Sequence, residues 1–195
     1  MKIVGVGCGP GLLTEEAIRV IRQAKTVYGS PRAIELARAH LPAGCRVRPI
    51  GDYRNLDYLP DDAVILSTGD PMLAGLGYLS GEIVPGISSL QVAAARLRFS
   101  LSKTVVVVAH GSGHEKAMQE AVEEIRHGKI VFLLADPKFD VGELYRRLGA
   151  MGLSSKIRIA VCEDLAYPDE RIAIGDIITP PMPVGELYAL VIGSF

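Results

Sequence analysis

Short runs of aliphatic and β-branched residues recur along the chain, separated by stretches whose apolar positions repeat every three or four residues. That alternation predicts an α/β fold with a largely parallel sheet. Strands are expected over 2–6, 26–28, 46–50, 63–67 and 82–85, and again over 104–109, 129–134 and 157–162. Two late strands, near 170–174 and 187–192, are expected to finish the sheet antiparallel, with Pro180-Pro181-Met182-Pro183 as a rigid connector before the last. Thr14 caps a helix running to about Ala24, with Glu15 and Glu16 in its first turn and Arg22 and Lys25 near its end, as the helix dipole favours. Ser30-Pro31 opens a second helix, and 72–80, 90–96, 114–127 and 140–151 follow the same periodicity. The segment 97–103 is polar and lacks a period, so the boundary is placed there: an N-terminal α/β lobe over 1–102 and a C-terminal α/β lobe over 103–195.

Composition narrows the function classes. At 195 residues, 49% hydrophobic and 22% charged, the chain has enough apolar surface to fold without disulfides or metals. Its 21 basic and 22 acidic residues give a net charge of −1, which argues against nucleic acid as a partner. No apolar run approaches the ~18 residues of a membrane span, and the glycine-interrupted N-terminus does not read as a signal peptide. Cys8, Cys45 and Cys162 are odd in number and widely spaced, as expected of reduced thiols in a cytoplasm.

Four segments offer chemistry. Gly5-Val6-Gly7-Cys8-Gly9-Pro10-Gly11 follows a strand and precedes a helix, but G-x-G-x-x-G fails in both registers, at Pro10 and at Leu12. What remains is a sharp turn whose backbone approaches a ligand, or a tight turn with none. Ser67-Thr68-Gly69-Asp70-Pro71 lies at a strand's carboxyl end, where open α/β sheets bind ligands, although Asp-Pro also starts helices. Pro85-Gly86-Ile87-Ser88-Ser89 offers hydroxyls and free amides, or simply a helix cap. His110-Gly111-Ser112-Gly113-His114 has the four-residue spacing of metal ligands, yet its two glycines argue against a shared helix face.

Taken in order, GVGCGPG, STGDP and PGISS resemble the tetrapyrrole methylases, two-lobed S-adenosylmethionine enzymes. VYGSPRAIEL (27–36), PGISSLQVAAARL (85–97), VVVVAHGSG (105–113), LLADPKFDVGELYRRLGAMG (133–152) and VCEDLAYPDERIAIG (161–175) are most similar to the branch that methylates C5 of a (cobalt-)precorrin in cobalamin biosynthesis. The sequence departs from that branch where Ser112 stands in place of an arginine, and where Thr68 is inserted into its usual S-G-D-P. Other members, such as uroporphyrinogen methylase and diphthine synthase, are the nearest alternatives. A non-catalytic binding module and an NAD-dependent oxidoreductase are the others, the last disfavoured by the failed fingerprint.

The resemblance implies a tetrapyrrole-methylase-like fold of two α/β lobes with the cofactor cleft between them. It assigns S-adenosyl-L-methionine to Pro10, Thr68, Gly69, Asp70, Leu73, Ser88, Ser89, Leu134, Ala160 and Tyr188. A sulfonium leaves as a neutral thioether and needs no acid, so alignment and water exclusion are the protein's main tasks, with Asp70 and His110 the candidates for accepting a ring proton. Arg32, Arg54 and Lys138 suit the carboxylates of a precorrin substrate. A homodimer is implied too, and a chain ending at Phe195 leaves the C15-methylating, decarboxylating step to a separate protein.

Overall fold

The computed structural model describes residues 1–111, 113–152 and 157–195. They group into two compact units, Met1–Ser89 and Leu90–Phe195.

In the first unit, β1 (Lys2–Gly5), β2 (Thr26–Gly29), β3 (Arg46–Pro49), β4 (Val64–Ser67) and β5 (Glu82–Val84) form a sheet of order β3-β2-β4-β1-β5, every pair parallel. Alternation along the strands divides its core in two. Val4 and Leu66 face α1 (Glu15–Arg22) and α2 (Pro31–Ala37), packing with Ile21, Val27 and Ile34. Their neighbours Ile3 and Ile65 face the other way, onto Leu56 and Leu79. Both helices start where the sequence puts them: Thr14 Oγ1 accepts from the Ala17 amide at 3.1 Å and Ser30 Oγ from the Ala33 amide at 3.1 Å. Each cap stabilises its helix by about 1 kcal/mol.

The expected helix over 72–80 does not form. Ala74 takes a positive φ of 55°, the Gly77 amide reaches back to the Pro71 carbonyl at 2.8 Å, and the Leu76 amide is taken by Ser67 Oγ at 3.3 Å. Gly75 and Gly77 each lower helix stability by about 1 kcal/mol, so a series of turns anchored on Ser67 prevails.

The second unit begins with α3 (Ser89–Leu97) after its first residue, then β6 (Thr104–Ala109), α4 (His114–Arg126), β7 (Ile130–Ala135), α5 (Val141–Ala150), β8 (Arg158–Glu163), β9 (Arg171–Asp176) and β10 (Tyr188–Gly193). Its order is β6-β7-β10-β8-β9. Among the described residues of this unit only β6 and β7 pair in parallel, and β10 runs antiparallel between β7 and β8. The expectation of a largely parallel sheet therefore holds in the first unit and is corrected in the second, whose antiparallel finish occupies three of the four pairings. Helices α4 and α5 cover the face of Leu133, Val161 and Leu190. Phe132, Ala160 and Val191 point from the opposite face and are fully buried.

Candidate functional site

Three loops meet at the carboxyl edge of the first sheet. Adjacent strands β4, β1 and β5 end within one residue of register, so the chain leaving each emerges beside the others. Gly7 and Gly69 exchange amide and carbonyl, at 2.8 and 3.3 Å, and the Cys8 amide donates to the Ile87 carbonyl at 3.0 Å. Gly5, Gly69 and Gly86 are packed backbone to backbone. A Cβ on Gly5 would lie 2.6 Å from the Gly86 nitrogen, and one on Gly86 would overlap the Gly69 carbonyl oxygen. Only glycine permits this approach. Gly69 differs: at φ +70° a Cβ there would meet nothing nearer than Ser88 Cα at 3.9 Å, so the absent side chain leaves open space above a buried serine.

Asp70 ties the second loop to the third. Its Oδ1 accepts from the Met72 amide at 2.8 Å and its Oδ2 from the Gly86 amide at 2.9 Å. Thr14 adds a weaker tie, its hydroxyl donating to the Pro85 carbonyl at 3.4 Å.

The site residues expected in this unit fall together: Pro10, exposed, on the first loop; Thr68, Gly69, Asp70 and Leu73 on the second; Ser88 and Ser89 at the start of α3. Arg32 joins them, its Nη2 3.3 Å from Thr68 Oγ1. Arg54 is exposed and paired with Asp52 at 3.0 Å.

In the second unit Leu134 and Ala160 lie on one sheet face: Leu134 pairs with Ala189, and two residues on Val191 pairs with Ala160. Tyr188 belongs to the other face, among the core that α4 and α5 cover, and its hydroxyl donates to the Asp136 carbonyl at 3.3 Å. Lys138 is exposed, as is His110; Ser112 lies outside the described residues. His110 precedes α4 and His114 begins it, so the two do not share a helix face.

His114 has another partner, which the sequence reading missed. Its Nε2 is 3.0 Å from Asp136 Oδ2, which also accepts from the Gly111 amide at 2.8 Å, while Oδ1 takes the Lys138 amide at 2.9 Å. Bonded chiefly by His114 and then by these amides, the Asp136 carboxyl is held down at about 2. The available signal was Ala135-Asp136-Pro137, a repeat of Gly69-Asp70-Pro71 at a second strand end. Glu163 was missed as well. Fully buried at the end of β8, it accepts from the amides of Val184 and Gly185, each at 2.6 Å, and from Arg171 at 2.5 Å.

The profile of the Tetrapyrrole (Corrin/Porphyrin) Methylases matches residues 2–179. A probable cobalt-precorrin-7 C(5)-methyltransferase of Methanocaldococcus jannaschii is 32% identical over 188 residues, covering 87% of this chain and 86% of the relative. The crystal structure of the cobalamin biosynthesis precorrin-6Y methylase of Archaeoglobus fulgidus superposes with a TM-score of 0.76 at 31% identity, over 100% of this chain and 97% of that one. A uroporphyrin-III C-methyltransferase of Thermus thermophilus, solved with S-adenosyl homocysteine, shares the fold at a TM-score of 0.70 and 19% identity, over 98% and 96% of the two chains. With a family profile spanning nearly its whole length, the chain belongs to the tetrapyrrole methylases.

Proposed function

We propose that the protein is an S-adenosylmethionine-dependent C-methyltransferase acting at C5 of a (cobalt-)precorrin in cobalamin biosynthesis. The observation that carries this reading is the fused loop edge of the first sheet, on which GVGCGPG, STGDP and PGISS converge around the space above Gly69. The likeness to C5-methylating relatives over most of the chain supports the choice of acceptor.

The residues present fit the methyl donor. Gly69 leaves room against the backbone, Ser88 and Thr68 supply hydroxyls, and Pro10 and Leu73 add apolar surface. When bound, S-adenosylmethionine supplies an activated methyl group whose departure needs no acid. The chain's residues then have three tasks: to hold the ligand by backbone and hydroxyl groups, to align it, and to keep water out. In this reading Asp70 is a positioning residue, because both its oxygens are committed to amides of two different loops. Arg32, beside Thr68, is the cation assigned to an acceptor carboxylate. A reducing cytoplasm and a homodimer complete the reading, the first in keeping with Cys8, Cys45 and Cys162 being in no disulfide.

The test is mass spectrometry of acceptors incubated with enzyme and S-adenosylmethionine. A gain of one methyl on a C5-unmethylated precorrin, with none on uroporphyrinogen or on a diphthine precursor, is expected. Methylation of either of the latter instead would overturn the assignment.

A further inference from the structure

The strand order gives the β4 loop two flanks. On one side lie the loops after β1 and β5; on the other lies the end of β2. A hollow of about 350 Å³ opens on that second flank, its floor made by Ser30, Ser67, Thr68 and Leu76 and its walls by Tyr53 and Tyr78. Both tyrosines are well exposed, 45% and 65%, as are Met72 and Tyr58 on the same two loop segments. Large apolar side chains gathered in the open around a concave polar floor mark a binding surface more often than chance exposure. The floor is braced: Ser67 Oγ receives the Leu76 amide, and Gly75 passes so close that a Cβ would stand 2.6 Å from that oxygen. Beside the hollow the exposed Arg32 reaches Thr68, a residue of the lining, and has no carboxylate partner among the described residues. Arg54 differs, being already neutralised by Asp52.

We propose that this hollow seats one edge of the methyl acceptor, with the rings of Tyr53 and Tyr78 against a flat pyrrole face and Arg32 on a peripheral carboxylate. Aromatic faces and a guanidinium with an unclaimed charge suit a ligand that is planar in parts and anionic at its edge. The β4 loop then separates acceptor from donor, and Thr68-Gly69 is the segment both approach. This assignment rests on the methyltransferase reading and adds the residues that select the acceptor.

The experiment titrates full-length protein with uroporphyrin, a stable polycarboxylate tetrapyrrole, read by its absorption shift, and in parallel with S-adenosylhomocysteine by calorimetry. Wild type is expected to bind both. Tyr53→Ala/Tyr78→Ala and Arg32→Gln are each expected to weaken porphyrin at least tenfold and leave S-adenosylhomocysteine within twofold. Tyr78→Phe is expected to retain porphyrin, since the ring carries the contact. Unchanged porphyrin affinity in both weakening variants, or parallel loss of both ligands, would overturn the subsite. A wild type that binds porphyrin but not S-adenosylhomocysteine would instead overturn the underlying reading, and the proposal with it.

Discussion

Asp70 and Asp136 occupy matching places in two sheets of different topology. Each follows a strand, precedes a proline, takes the amide two residues on with Oδ1 and takes an amide from another strand's loop with Oδ2. The surroundings differ. Asp70 stands over glycines in backbone contact, whereas Asp136 has open space around Gly111 and a histidine on its outer oxygen. The same local rule thus makes a clip in both units, and the neighbours decide its use. One clip holds loops at a separation only glycine allows; the other holds a loop through a carboxylate that His114 helps to keep ionised.

The largest effect is expected where the glycines are tightest. Gly86→Ala forces a methyl into the Gly69 carbonyl and should destabilise the fold by about 3 kcal/mol, whereas Gly111→Ala meets no atom within 4 Å and should cost about 1 kcal/mol for its left-handed φ of 70°. Denaturant melts of both variants read the contrast. Next is Asp70→Asn, which turns one acceptor into a donor facing an amide; a loss of about 1–3 kcal/mol is expected, with weakened S-adenosylhomocysteine binding in calorimetry.

A smaller effect, and a sharper distinction, comes from acid. The Asp136 carboxyl is held at about 2, below its ordinary 3.8. A depressed acid stabilises the folded state above its unfolded value, so this contribution is complete above about pH 4 and fades as pH falls toward 2. Circular dichroism from pH 5 to 2 should show Asp136→Asn lacking that component. In His114→Ala the carboxyl should titrate higher by carbon NMR, because its largest stabilising partner is gone. The smallest effect is chemical: burial pushes the Cys162 thiol up to about 12, so alkylation at pH 8 should label Cys8 and Cys45 and spare Cys162 until unfolding.

Much of this was legible in the residues. Caps at Thr14 and Ser30 and the β6 limits follow from local chemistry that the tertiary structure leaves alone. The 72–80 segment was not, since its periodicity suits a helix and its fate depends on Ser67, a partner from another element. Nor were the long-range roles of Asp70, Asp136 and Glu163, whose amide partners come from separate loops or strands. Motifs located the Gly69 loop; only the fold showed that its aspartate faces protein.

In the methyltransferase reading the loops after β1, β4 and β5 hold the methyl donor above Gly69. Calorimetric titration with S-adenosylhomocysteine, of wild type and of Gly69→Trp, tests it most directly. One-to-one binding by the wild type is expected, and none by a variant whose circular dichroism is unchanged, because the indole fills the space the glycine leaves. Equal binding by both proteins, or no binding by the folded wild type, would contradict it.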